Sequence, residues 1–270
     1  MHEEIKKMFD LSGKVAVVTG GARDLGHDAA TVLAAAGCHV AITSRKLEHA
    51  QKAAEQISRT YSVDVLPQQL DQTDFQQVAQ VASRVYEWKG AVNILINNAG
   101  GGVGDSPALL FERDPRDFAK MIDLNLTGVL YCCREFSRIM VKQRSGKIVN
   151  IASIAGIMGR DRRMYSRNNM DGQSVDYAGA KAGVIGLTMD LAGYLSPMGI
   201  YVNCITPGGF YREGTQPKQF VQDYSDRTPL GRMGRDGIDM KGPVLFLASS
   251  ASDYVTGYNL IVDGGFSIWH

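Results

Sequence analysis

Short β-branched runs alternate with helix-period segments along nearly the whole chain, and that rhythm restricts the folds open to it more than any other feature. The runs are Lys14–Thr19, His39–Thr43, Val63–Gln69, Val92–Asn97, Lys147–Ala152, Ile200–Thr206 and Asn259–Val262. Most are apolar on both faces, as parallel strands covered by helices must be. Between them the pattern predicts helices over Leu25–Ala36, Lys46–Arg59, Asp74–Trp88, Pro115–Gln143, Val175–Leu195 and Asp236–Ser249. Gly37 reads as the glycine that ends the first of these, and Asp114-Pro115 as an N-cap and first-turn proline. The expectation is an α/β fold: one Rossmann-type, doubly wound parallel sheet of about seven strands with helices on both faces.

No linker, repeat or low-complexity tract interrupts this order, so a single domain over 1–270 is expected, large enough to need no disulfide or metal. Cys38, Cys132, Cys133 and Cys204 lie in apolar stretches without ligand spacing and read as reduced core thiols. A net charge of +1 argues against nucleic-acid or anionic-membrane surfaces. With no apolar leader or spanning segment, a soluble, cytoplasmic protein is expected, and Asn125-Leu126-Thr127 is a chance glycosylation sequon. Two segments break the rhythm, Gly159–Gln173 and Gly208–Arg227. Both follow strands at their carboxyl ends, so they read as irregular walls of a substrate cleft.

Thr19-Gly20-Gly21-Ala22-Arg23-Asp24-Leu25-Gly26 follows the first strand and opens a helix. Backbone N–H groups at a helix N-terminus suit a pyrophosphate, with Gly20 making the tight turn and Gly26 allowing close packing. A glycine-bearing βα loop without a ligand is the competing reading. Where an acid at the end of the second strand would hold an NAD ribose, this chain has Ser44, Arg45 and Lys46. Arginine suits a 2′-phosphate, and Arg23 can add a second cation, so NADP(H) is favoured over NAD(H). Farther on, Tyr177 and Lys181 are four apart on a helix, share a face and follow Ser153. A phenol beside an ammonium reads as a proton donor for a carbonyl, and no His/Cys/Asp cluster suggests a metal.

Together these residues resemble the short-chain dehydrogenase/reductase family, in its order and over nearly the whole chain. The matching pieces are the Thr19–Gly26 turn, Asp71, Asn97-Asn98-Ala99-Gly100, Asn125, Ser153, Tyr177 with Lys181, and Pro207-Gly208. In style the chain is similar to gluconate 5-dehydrogenase-type and 3-oxoacyl-carrier-protein-reductase-type members. The resemblance implies that Tyr177 is the acid/base and that Lys181 lowers its pKa and holds the nicotinamide ribose. It makes Ser153 a hydrogen-bond partner of the reacting oxygen and Asn125 part of a water-linked proton path. Asp71 would contact the adenine, and Asn98, Ala99, Gly100, Pro207, Gly208 and Phe210 would line the cofactor. Asn98 as a strand-end structural residue, and Asn125 as a buried amide bonding backbone, are the competing readings. Bringing a phenol from about 10 toward 7–8 asks for roughly 3–4 kcal/mol, to come from Lys181 and an oxidised nicotinamide. The family also implies a homotetramer that pairs through Pro115–Gln143 and Val175–Leu195.

Three departures stand out. Asp24 occupies a position where the family usually has glycine, which predicts weakened or rearranged phosphate binding, offset by Arg23 or by rotation into solvent. The Ser153–Tyr177 interval is long, and its extra length holds Arg160, Arg162, Arg163 and Arg167. Arg160 and Arg163, with Tyr211 beyond the Pro-Gly step, are candidate contacts to an anionic substrate such as a sugar acid; a solvated loop or subunit contact is the alternative. Arg212 falls where a carboxamide-binding threonine is common. The expected activity is NADP(H)-dependent interconversion of a secondary alcohol and a ketone on a small polar substrate, a sugar acid or polyol. A dinucleotide sensor with little or no turnover and a 3-oxoacyl thioester reductase are the rivals.

Overall fold

The structure, a computed structural model, describes residues 2–269; Met1 and His270, the ends of the expected domain, lie outside them. Among the described residues nine strands form: β1 Val15–Val18, β2 His39–Ser44, β3 Val65–Gln69, β4 Ile94–Asn97, β5 Gly146–Ile151, β6 Ile200–Pro207, β7 Phe210–Tyr211, β8 Gly234–Arg235 and β9 Asn259–Val262. Seven make one parallel sheet in the order β3-β2-β1-β4-β5-β6-β9, while β7 and β8 pair separately. Val17, for example, lies opposite Ala41 of β2 and Leu95 of β4. The winding direction reverses between β1 and β4, which opens a crevice at their carboxyl ends.

The helices are α1 Glu3–Phe9, α2 Asp24–Ala35, α3 Leu47–Tyr61, α4 Phe75–Lys89, α5 Pro115–Ile122, α6 Gly128–Gln143, α7 Arg162–Ser166, α8 Val175–Leu195, α9 Lys218–Asp226 and α10 Lys241–Ala248. Alternate strand residues feed opposite cores. Ala16 and Val18 pack with Leu33 of α2, Ile57 of α3 and Leu247 of α10. Val15 and Val17 join Val78 of α4, Phe136 of α6 and Val184 of α8. All four residues of β1 are buried, which explains its unbroken apolar run. No helix among the described residues is long and apolar enough to cross a membrane.

Several expected boundaries move for identifiable reasons. The segment expected as one helix over Pro115–Gln143 contains a π-helical stretch, Asp123–Thr127, between α5 and α6. Its start is as read: Asp114 caps the Arg116 N–H and Pro115 is the first helical residue. The helix expected from Asp236 begins only at Lys241, because Gly237 has φ +75° and Asp239 is committed to Arg232 and Arg235. The supposedly irregular Gly159–Gln173 and Gly208–Arg227 hold α7 and α9. Phe220 and Tyr224, four apart on α9, join Met164 and Met233 in a small separate core over the sheet's carboxyl edge.

Candidate active site

The first glycine turn is built around Thr19. Its Oγ1 accepts the N–H groups of Asn98 and Ala99, each at 3.0 Å, and so ties the end of β1 to the end of β4. Asn98 Nδ2 donates back to the Thr19 carbonyl at 3.0 Å and the Gly20 carbonyl at 3.2 Å. Asn98 is therefore a strand-end clamp. Gly20 turns with φ +64°, and a Cβ at Gly26 would stand 2.2 Å from the Gly20 carbonyl oxygen. No larger residue fits at Gly26, so α2 can begin packed tight against the Gly20 turn.

Asp24 begins α2 at φ +54° beside half-buried Leu25. Arg23 is highly exposed, and its Nε lies 3.7 Å from Asp24. The nearer cation is Arg212, just beyond β7, whose Nε is 3.3 Å from Asp24 and 3.6 Å from Asp236. One contact thus links the two positions that depart from the family pattern. At the β2 end, Ser44 Oγ accepts the Lys46 N–H at 3.3 Å. Arg45 and Lys46 are exposed, and neither has an ion-pair partner among the described residues. Asp71 spends one carboxylate oxygen on its own turn, accepting Thr73 N–H at 3.0 Å and Oγ–H at 2.7 Å.

Beyond the crevice, Ser153 leaves β5 and caps a single 3₁₀ turn, Ile154–Gly156, by accepting the Ala155 N–H at 3.2 Å. Gly156 allows this turn to press on α8: a Cβ there would meet the Ala182 nitrogen at 2.7 Å. The contact brings the Ser153 hydroxyl close to the Tyr177 phenol. Lys181, fully buried, donates from Nζ to the Ile151 carbonyl at 2.8 Å, and its Nζ lies 5.7 Å from the Tyr177 ring centre. A Cβ at Gly100 would fall 2.6 Å from Asn125 Oδ1 and 3.4 Å from Lys181 Nζ, so these three positions converge. Asn125 sits in the π-helical stretch, accepting the Gly101 N–H at 2.8 Å and donating to the Gly101 carbonyl at 3.0 Å. Its amide also donates to the Met121 carbonyl at 3.2 Å.

Burial pushes the Tyr177 phenol above its ordinary value, while the nearby Ser153 hydroxyl and the Arg160 charge act against that rise. Burial also drives the Lys181 ammonium down to about 8. The cation that Tyr177 feels is Arg160 of the long interval, half-buried, with Nη2 donating to the Ser174 carbonyl at 2.9 Å.

Arg163 lies at the surface with Nε 2.8 Å from Asp161, a carboxylate it shares with Arg227 at 2.7 Å. Arg167 pairs with Asp223. Phe210 turns its ring into the core against Gly234, and its carbonyl takes the Gln216 amide at 2.9 Å. Tyr211 is exposed on β7. Pro207 ends β6, and Gly208 follows it tightly, where a Cβ would lie 2.8 Å from Asp263 Cβ. The sequence reading passed over Thr19 as a side chain and Gly156 entirely. Thr19 at least opens the turn motif, whereas nothing local marks Gly156.

Residues 14–220 match the family model described as short chain dehydrogenase. The chain belongs to the short-chain dehydrogenase/reductase family. A 3-oxoacyl-[acyl-carrier-protein] reductase of Aquifex aeolicus is 34% identical over 257 residues, covering 94% of this chain and 98% of that protein. A secoisolariciresinol dehydrogenase of Forsythia intermedia is 31% identical over 268 residues, covering 96% and 90%. Among solved structures, a gluconate 5-dehydrogenase of Burkholderia cenocepacia in complex with NADP and tartrate aligns with a TM-score of 0.86 at 31% identity, covering 97% and 98%. The crevice fits the dinucleotide that the family implies: it lies where the winding reverses between β1 and β4, Gly26 lets α2 begin tight against the Gly20 turn, and at the β2 end stand cations with no ion-pair partner among the described residues.

Proposed function

We propose that this chain is an NADP(H)-dependent oxidoreductase that interconverts a secondary alcohol and a ketone on a small polar substrate, with Tyr177 as acid/base. The observation that carries the reading is the convergence of Ser153, Tyr177, Lys181 and Asn125 beside the crevice between β1 and β4. The turn at Gly20, Asp24, Leu25 and Gly26 would face the pyrophosphate, Asp71 the adenine, and Ala99, Gly100, Pro207 and Gly208 the nicotinamide half. Ser44, Arg45 and Lys46 would meet the 2′-phosphate, which favours NADP(H). When bound, the cofactor supplies the hydride.

The chain's own residues handle the proton. Ser153 holds the substrate oxygen against the phenol, and Tyr177, a phenol and so protonated at neutral pH, donates to that oxygen. Lys181 and Asn125 line the route by which a proton returns. A single domain in a cytoplasmic homotetramer completes the proposal: Leu130 on α6, and Met189 and Tyr194 on α8, are exposed apolar residues on the helices expected to pair.

Reduction of a 3-oxoacyl thioester is the second reading, favoured by the curated relatives of that name at 33–35% identity. Arg160, the arginine that Tyr177 senses, would favour an anionic substrate. NADPH consumption measured with keto sugar acids, 3-oxoacyl thioesters and neutral ketones, and repeated with NADH, separates the readings. Y177F is expected to cost at least a hundredfold in kcat. Cofactor binding without turnover across the panel would leave a sensor.

A further inference from the structure

Arg113 and Asp176 form an ion pair that the catalytic proposal does not use. Arg113 Nε is 2.7 Å from Asp176 Oδ2, and the two side chains are only 3% and 6% exposed. Sixty-three positions separate them in the chain, and the bond joins the segment after β4 to the first turn of α8. Arg113 Nη2 also donates to the Val103 carbonyl at 2.8 Å. The 103–106 stretch is further tied to α5 by Asp117, which accepts the N–H groups of Asp105 and Ser106, each at 3.1 Å, and the Ser106 hydroxyl at 2.6 Å. Asp176 immediately precedes Tyr177, and its other oxygen has no hydrogen-bond partner among the described residues.

Buried ion pairs are poor stabilisers, because desolvation offsets most of the attraction, and apolar replacements are often as stable. What such a pair supplies is direction. Successive helix residues point about 100° apart, so a bond at Asp176 fixes the rotation of the first turn and therefore the aim of the next side chain. Helix ends are where that rotation is least constrained. We propose that Arg113 and Asp176 are positioning residues: they set the Tyr177 phenol against Ser153 and lock the loop after β4 to the catalytic helix as one unit. The inference rests on Tyr177 being the acid/base.

The test is R113M/D176L, which removes both charges together. The expected result is a thermal midpoint within about 3 °C of wild type and an NADPH Kd within twofold. A loss of at least tenfold in kcat should accompany faster amide exchange in both 101–106 and 177–183. A kcat within twofold of wild type, or unchanged exchange in both segments, overturns the proposal. Should the double variant not fold, R113K carries the test: lysine keeps Asp176 but cannot also reach Val103. It should loosen 101–106 while leaving 177–183 protected, and equal loosening of both would overturn the assignment. The exchange measurement needs no substrate, so a wild-type protein without turnover would defeat the catalytic reading while the mechanical coupling is still tested.

Discussion

Asp24 is the sharpest place to test how this site handles its ligand. Its carboxylate opens α2, where a pyrophosphate would bind, and the substitution Asp24→Gly removes it. Two like unit charges 4 Å apart repel by about 1 kcal/mol in water and about 4 kcal/mol at an effective dielectric of 20. Asp24 is 38% exposed and has Arg212 at 3.3 Å, so the lower figure governs. About 1 kcal/mol corresponds to roughly a fivefold tighter NADPH Kd. Calorimetric titration of D24G should show that gain at low salt and a smaller one at high salt, because exposed charges are screened. Asp24→Asn separates the charge from the φ +54° backbone that glycine also relieves, and it should retain most of the gain. Adenosine 2′-monophosphate, which has no phosphate at its 5′ end, should bind all three proteins equally. An NADPH Kd that stays within twofold in both variants, or a monophosphate that shares the gain, would refute the repulsion argument.

Removing the exposed cations in R45A/K46A should weaken NADPH by roughly ten- to a hundredfold and leave NADH within threefold, measured as the ratio of their Kd values. Lys181→Met should abolish turnover yet raise the thermal midpoint at pH 7 by several degrees, because a fall from 10.5 to about 8 disfavours the buried ammonium by about 3 kcal/mol. The sign follows from the unfolded chain holding its lysine proton more tightly: the native protein gains stability between pH 8 and 10.5, so the advantage of the variant should be largest below pH 8 and fade toward 10.5. A constant difference between the two melting curves from pH 6 to 10 would contradict this. Gly156→Ala, by forcing the Ser153 turn off α8, should lower kcat by about a hundredfold with unchanged cofactor affinity; kinetics and titration together check it.

The order of strands and helices was legible because burial on both faces writes itself into the residues as apolar runs, and β2, α8 and β9 appear nearly where those runs lie. The chemical residues were legible as motifs. What stayed hidden depends on contacts distant in the chain. The small core of α7 and α9 uses too few apolar residues to show a period, although Phe220 and Tyr224 are spaced as a helix requires. Arg212 reaches Asp24 across nearly two hundred positions, and Arg113 reaches Asp176 across sixty-three. The burial of Tyr177 cannot be read from its neighbours in sequence, and burial is the largest influence on its phenol.

The widened winding at 123–127 also constrains how this lineage can change. One surplus residue there keeps Asn125 turned toward Gly101 while Cys132, Phe136 and Met140 stay seated in the interior. Losing that residue would rotate everything downstream by about 100°, so either the amide or the packed face must be surrendered. Single-codon deletions in this stretch should therefore be purged, and related chains should differ in length elsewhere, where a loop can absorb the change.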